Sequence, residues 1–106
     1  MIAAAKQPES AGENSYTISY REGDKVSRPG QPGYAIAYGM DVVLQSASGS
    51  QQRFPTVAIL SVWWRKGAPP EQSILFTRLM PVELAESILR FAPGIIAYEA
   101  EKHADA

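Results

Sequence analysis

The chain contains no cysteine. That excludes a disulfide framework, a thiolate zinc site and a cysteine nucleophile. It contains one histidine, His103, close to the C-terminus. A single imidazole so placed argues against a histidine-based catalytic centre or metal cluster. Long apolar runs are missing too. The longest stretch lies within Val57–Trp64 and is broken by Ser61, far short of the roughly 20 residues a spanning helix needs. No membrane association is expected. The N-terminus, Met1-Ile2-Ala3-Ala4-Ala5-Lys6, lacks the charged segment and apolar core of a secretory signal. The expected compartment is the cytoplasm. Nor is there an excess of one charge: 10 basic and 11 acidic residues give a net charge of −1. Composition alone does not indicate a generally basic nucleic-acid binder.

Motifs of catalysis are likewise absent. The chain has no glycine-rich phosphate loop, no HExxH, no nucleophile elbow and no supported pair of carboxylates. Asp41 or Glu22 would have to act as a lone carboxylate, whereas a reaction needs a constellation of acid, base or nucleophile with supporters. The expectation is a protein that is not an enzyme, with no cofactor and no metal.

What is present suffices for one core. Of 106 residues, 45% are hydrophobic, enough for a single domain and too little for two. Residues 1–14 are rich in Ala, Glu, Gln, Ser and Gly. They read as a flexible tail, unable to bury enough surface to offset their ordering entropy. Ser15–Arg21 alternates cleanly, with Tyr16, Ile18 and Tyr20 on one side, as in a half-buried strand. Gly23–Gly33, punctuated by Pro29, Gly30 and Pro32, reads as a loop. Tyr34–Leu44 is a second strand with Tyr34, Ile36, Tyr38 and Met40 on one face. Beyond Gly39 the alternation gives way to Val42-Val43-Leu44, which suggests a bulge or bend in that strand. Ser46–Gln52 is a polar turn.

Phe54–Lys66 is the strongest strand. Its even positions, Ala58, Leu60, Val62 and Trp64, are wholly apolar and belong in the core. Trp63 and Arg65 fall on the other face. Gly67-Ala68-Pro69-Pro70 turns the chain into a fourth strand, Ser73–Met80, whose two faces the pattern does not separate. Pro81 suits the first helical position, because its missing N–H has no partner there anyway. Leu84, Ala85, Ile88, Leu89, Phe91, Ala92, Ile95 and Ile96 then form one apolar stripe at period 3.6. Glu86 and Arg90 are spaced for a favourable i,i+4 pair. The stripe keeps its phase across Pro93-Gly94, which favours one helix kinked at Pro93 over two separate helices. Helical character fades after His103, leaving 104–106 frayed. The expected fold class is α+β: a four-stranded antiparallel meander followed by a kinked C-terminal helix, ββββα, in a single domain over residues 15–103.

Charge is unevenly spread. Residues 15–80 carry seven cations and four anions, whereas residues 81–106 carry two cations and five anions. A mildly basic sheet therefore lies under an acidic helix. All the aromatics except Phe91 and Tyr98 lie in the sheet section. Most of them are core filler, as strand aromatics usually are. An outward Trp63 beside Arg65 is different, because an exposed indole can stack on a base while neighbouring cations track phosphates. The same composition also marks hot spots in protein interfaces. Arg21, Lys25, Arg28, Arg53, Trp63, Arg65, Lys66 and Arg78 are the candidate contact residues for single-stranded nucleic acid or, alternatively, a protein partner. Ile95, Ile96 and Tyr98 extend the helix stripe beyond the expected sheet edge and are the candidate interface of a homodimer.

Residues 54–96 combine an aromatic and basic strand (Val57–Lys66), a Pro/Gly turn, and a segment running through Leu79-Met80-Pro81 into Glu83. With the order of four strands and a helix, this resembles the single-stranded-DNA-binding fold of the transcriptional coactivator PC4 and its whirly relatives. The resemblance implies a dimer, with curved sheets holding single-stranded nucleic acid and helices packed at the centre. An accessory or phage-type inhibitor protein that occludes a larger partner is the competing expectation.

Overall fold

The computed structural model describes residues 15–105. The expected tail, residues 1–14, lies outside the described residues, as does Ala106. Four strands follow in chain order: β1 (Ser15–Val26), β2 (Tyr34–Gln45), β3 (Gln51–Trp64) and β4 (Glu71–Phe76). They form one antiparallel meander in the order β1-β2-β3-β4. The helix α1 (Val82–Glu99) then crosses one face and ends in a 3₁₀ turn, Ala100–His103. The architecture is ββββα. Among the described residues no helix is long and apolar enough to cross a membrane.

Several boundaries differ from the sequence expectation. β1 does not stop at Arg21. It resumes after an irregularity between Glu22 and Lys25, where Lys25 pairs with Ile36 and Val26 with Ala35. The one extra residue reverses the alternation beyond it. The loop is thus shorter, Ser27–Gly33. β2 keeps its phase: Met40 and Val42 are both fully buried and Asp41 points the other way. The bulge lies instead on β3, where Pro55, Thr56 and Val57 stand opposite Asp41 alone. β4 ends at Phe76 rather than Met80, and its faces are distinct. Ile74 and Phe76 pack toward the helix, while Leu75 is 63% exposed.

The core sits between the sheet and α1. It is built from Ile18, Tyr20, Ile36, Tyr38, Met40, Val42, Leu60, Val62 and Trp64 on the strands, and Leu84, Ile88, Ala92 and Ile95 on the helix. Each large apolar side chain so buried stabilises the fold by about 1.5–3 kcal/mol. α1 is one helix that continues through Pro93. Pro81 is its N-cap, one residue earlier than expected, and its carbonyl accepts from the Leu84 and Ala85 amides at 3.1 Å. Arg90 donates to Ser87 Oγ at 3.3 Å instead of reaching Glu86. Two expectations for the helix need correction. Leu89 is 49% exposed, because the buried arc is centred on Ile88 and Ile95. Ile95 is fully buried in the monomer core, so it is not available to a dimer interface.

The loop into β2 depends on one glycine. Gly33 adopts φ 86°, and a Cβ there would collide with the Trp64 carbonyl oxygen. Gly33→Ala combines a left-handed backbone with a clash against backbone that cannot swing away. A loss of about 3 kcal/mol is expected, read as a lower urea midpoint with an unchanged m-value. An unchanged midpoint would contradict the geometry.

Candidate functional site

The sheet face opposite α1 is uncovered by any element among the described residues, and its side chains follow from register. One row across the strands is Arg21, Gly39, Ile59 and Leu75; a parallel row is Ala35, Trp63 and Glu71. Between them runs a row of small residues, Ala37, Ser61 and Ser73. Arg21, Ile59 and Leu75 on one side and Trp63 and Glu71 on the other stand above these short side chains and make a trough. It includes a depression of about 490 Å³ lined by Arg28, Gln31, Ala35, Ser61, Trp63 and Ser73 among others. Arg28 reaches it from the loop, with its guanidinium 5.3 Å from the Trp63 ring centroid. That is cation–π distance, and it makes a stacked wall at one end of the trough. Arg65 bonds Glu71 at 3.0 Å beside it.

Asp41 organises the other end. Its carboxylate is buried and accepts from Arg21 Nη1 at 2.7 Å, Arg53 Nη2 at 2.9 Å and the Thr56 amide at 2.7 Å. Arg21 Nη2 donates in turn to Thr56 Oγ1 at 2.6 Å. Thr56 sits at φ 48° in the bulge, and its carbonyl accepts from Thr77 Oγ1 at 2.6 Å. A Cβ on Gly39 would lie 3.2 Å from the Arg21 guanidinium, so the glycine leaves the space this arginine fills. Burial pushes the Asp41 carboxyl up, but the Thr56 amide and the two guanidiniums outweigh it and hold the group below the usual aspartate range. Asp41 is therefore a fixed anion that holds two arginines in place. A guanidinium has five N–H donors, so both arginines keep donors for a ligand.

The structure brings Arg21, Arg28, Arg53, Trp63 and Arg65 to this face. Lys66 is exposed in the β3–β4 turn at its rim. Two expected contact residues lie elsewhere. Lys25 is carried to the helix side by the β1 irregularity, where its ammonium sits 4.6 Å from the Tyr34 ring. Arg78 lies beyond the end of β4, with its guanidinium 5.0 Å from the Phe54 ring. Of the dimer candidates, Tyr98 is exposed and Ile96 half-buried.

A second polar group lies on the helix side and was not foreseen. Glu99 and His103 are buried where α1 meets the 3₁₀ turn. Tyr20 donates its hydroxyl proton to Glu99 Oε2 at 2.8 Å. The Tyr34 hydroxyl is 2.8 Å from His103 Nδ1, and Trp64 stacks on the imidazole at 4.9 Å. Trp64 Nε1 donates to the Tyr38 hydroxyl at 3.1 Å. Burial first, and Glu99 second, push the Tyr20 hydroxyl well above its ordinary value; burial does the same to Tyr38. For Glu99, burial acts to raise the carboxyl, but the Tyr20 hydroxyl and the Lys102 ammonium bring it below the ordinary value. The i,i+4 spacing of Glu99 and His103 is the one local signal; their meeting with Tyr20 and Tyr34 joins positions 79 and 69 residues apart, which no local pattern shows.

Comparison with protein-family models, with curated proteins and with solved structures found nothing that matches this chain.

Proposed function

We propose that this protein is a non-catalytic binding module that holds single-stranded nucleic acid on its open sheet face. The observation that carries the reading is the Arg28–Trp63 stack at the edge of a trough floored by Ala37, Ser61 and Ser73. A base fits the trough against the indole, and small floor residues let it approach the sheet. Arg21 and Arg53, aligned by Asp41, and Arg28 and Arg65 then face the phosphates. Four guanidiniums against the carboxylates of Asp41 and Glu71 leave the face positive. The ββββα order is also the one the resemblance to the PC4 and whirly fold implies. A homodimer built on Ile96 and Tyr98 belongs to the same proposal, as does a cytoplasmic location.

Fluorescence anisotropy with a labelled mixed-sequence oligonucleotide over a salt series tests the reading. Four phosphate contacts would give a slope of about −3 in log K against log salt. Trp63→Ala should weaken binding by about 1–3 kcal/mol, or about 5- to 150-fold. Affinity that ignores salt, or that ignores Trp63→Ala, refutes the nucleic-acid role.

One observation favours a protein partner instead. Ile59 and the 63%-exposed Leu75 pair across β3 and β4 on the same face, and they offer apolar contact that phosphates do not use. An accessory or inhibitor module would then occlude its partner through Trp63 and Leu75. Loss of a defined protein complex on Trp63→Ala, with no oligonucleotide binding by the parent protein, selects this second reading.

A further inference from the structure

The buried group beneath the 3₁₀ turn has a feature that packing does not account for. Glu99 Oε2 is engaged by Tyr20 at 2.8 Å and by Lys102 at 3.4 Å, whereas Glu99 Oε1 has no hydrogen-bond partner and lies 3.4 Å from the partly exposed Lys102 ammonium. His103 Nδ1 is engaged by Tyr34, but His103 Nε2 has none either. Both residues are more than nine-tenths buried. Buried polar atoms are rarely left unpaired, and an unpaired one calls for an explanation such as a missing ion. These two orphans face each other at 3.7 Å, and Glu22 Oε1 lies 3.9 Å from the same His103 nitrogen. The donor atoms of Glu22, Glu99 and His103 all fall within 4.8 Å of one another.

We propose that Glu22, Glu99 and His103 form a binding site for a divalent transition-metal ion, with zinc matching the one-imidazole, two-carboxylate donor set. Zinc bonds imidazole nitrogen and carboxylate oxygen at about 2.0–2.2 Å, so donors around it stand no more than about 4.4 Å apart. The two distances to His103 already fit. The Glu22 side chain is 37% exposed, so it is free to close the third distance and leaves a path for the ion from solvent. Metal-bound histidines usually donate their other N–H to an oxygen that fixes the tautomer and ring plane. The Tyr34 hydroxyl is placed to accept from Nδ1–H, and the stacked Trp64 holds the ring. Tyr20 does the same for Glu99 by holding its other oxygen. One group opposes the ion. The Lys102 ammonium lies 3.4 Å from Glu99 Oε1, but its side chain is 54% exposed and can swing into water. With zinc bound, Lys102 moves out and a water completes the shell from the Glu22 side.

Because His103 is the only histidine and cysteine is absent, imidazole ligation can be read without ambiguity. The untagged full chain is titrated with zinc chloride by calorimetry, and the His103 ring resonances are followed by NMR. A stoichiometry of one ion per chain is expected, with the His103 signals shifting in step. Glu22→Gln should weaken binding at least about tenfold, and Lys102→Ala should tighten it several-fold. Both side chains are partly exposed, so neither variant is expected to unfold the protein. Far-ultraviolet circular dichroism confirms that both stay folded. The proposal fails if His103 does not respond to zinc, or if Glu22→Gln binds zinc as the parent does. A silent His103 leaves the cluster a buried polar contact without a metal, and unchanged binding by Glu22→Gln removes Glu22 from the ligand set and so overturns the three-residue site.

Discussion

Ile88→Ala is expected to lower the free energy of unfolding by about 2–5 kcal/mol, whereas Leu89→Ala next to it should cost less than about 0.5 kcal/mol. Both belong to the same apolar stripe of α1, and both remove the same number of carbons. They differ in where the helix turns them. Ile88 is fully buried between Leu84, Ala92 and the strands, so truncation leaves a cavity that the neighbours cannot close. Leu89 lies about 100° further round the helix, with half its surface in water. Urea unfolding of both variants decides the matter. Equal losses would mean that the helix packs on the sheet by a different face.

Asp41→Ala is expected to cost about 2–4 kcal/mol. The larger share is the Thr56 amide, which loses its acceptor inside a bulge; an unsatisfied donor costs about 1–3 kcal/mol. The two arginines contribute less, because each is more than half exposed and water takes over their solvation. Asp41→Asn retains an acceptor for Thr56 and should cost about 1 kcal/mol. The same carboxylate sets an acid limit. Its folded-state pKa is depressed, so its contribution is complete above the unfolded aspartate value of about 3.9. It is lost as pH falls from there through the folded value. Stability measured between about pH 5 and pH 2 should therefore fall less steeply in Asp41→Asn than in the parent protein. Parallel curves would show that the pairing with Arg21 and Arg53 is absent in solution. The variants also bear on function, because releasing Arg21 and Arg53 disorders the basic side of the open face without removing its charge.

Much of the fold is legible along the chain. Even-numbered apolar positions in β3, the alternation of Tyr16 to Tyr20, and the stripe through Ile88 and Ile95 each follow from a local period of two or 3.6. Proline and glycine mark the turns for equally local reasons. The ββββα order and the outward position of Trp63 come from those signals. Two of the exceptions arise at strand irregularities. Lys25 was expected beside Arg21 and Arg28, but the irregularity after Glu22 turns it toward Tyr34. Nothing in the local pattern assigns Asp41 a partner, but the three-residue bulge on β3 brings the Thr56 amide and Arg53 to it. A bulge depends on which strand gives way, and that is settled by pairing with a partner distant in the chain.

The sequence by itself determined the strand and helix order, the core-facing residues of β3, and the concentration of arginine and tryptophan in the sheet. These depend on the period of side chains along one backbone segment, which every residue carries locally. Tertiary structure alone decided that Ile95 is sealed in and Leu89 is not, that Asp41 clamps two arginines, and that Glu22 meets Glu99 and His103. Those outcomes require segments from opposite ends of the chain to meet at ångström distances, and such distances are set by packing and register across the sheet.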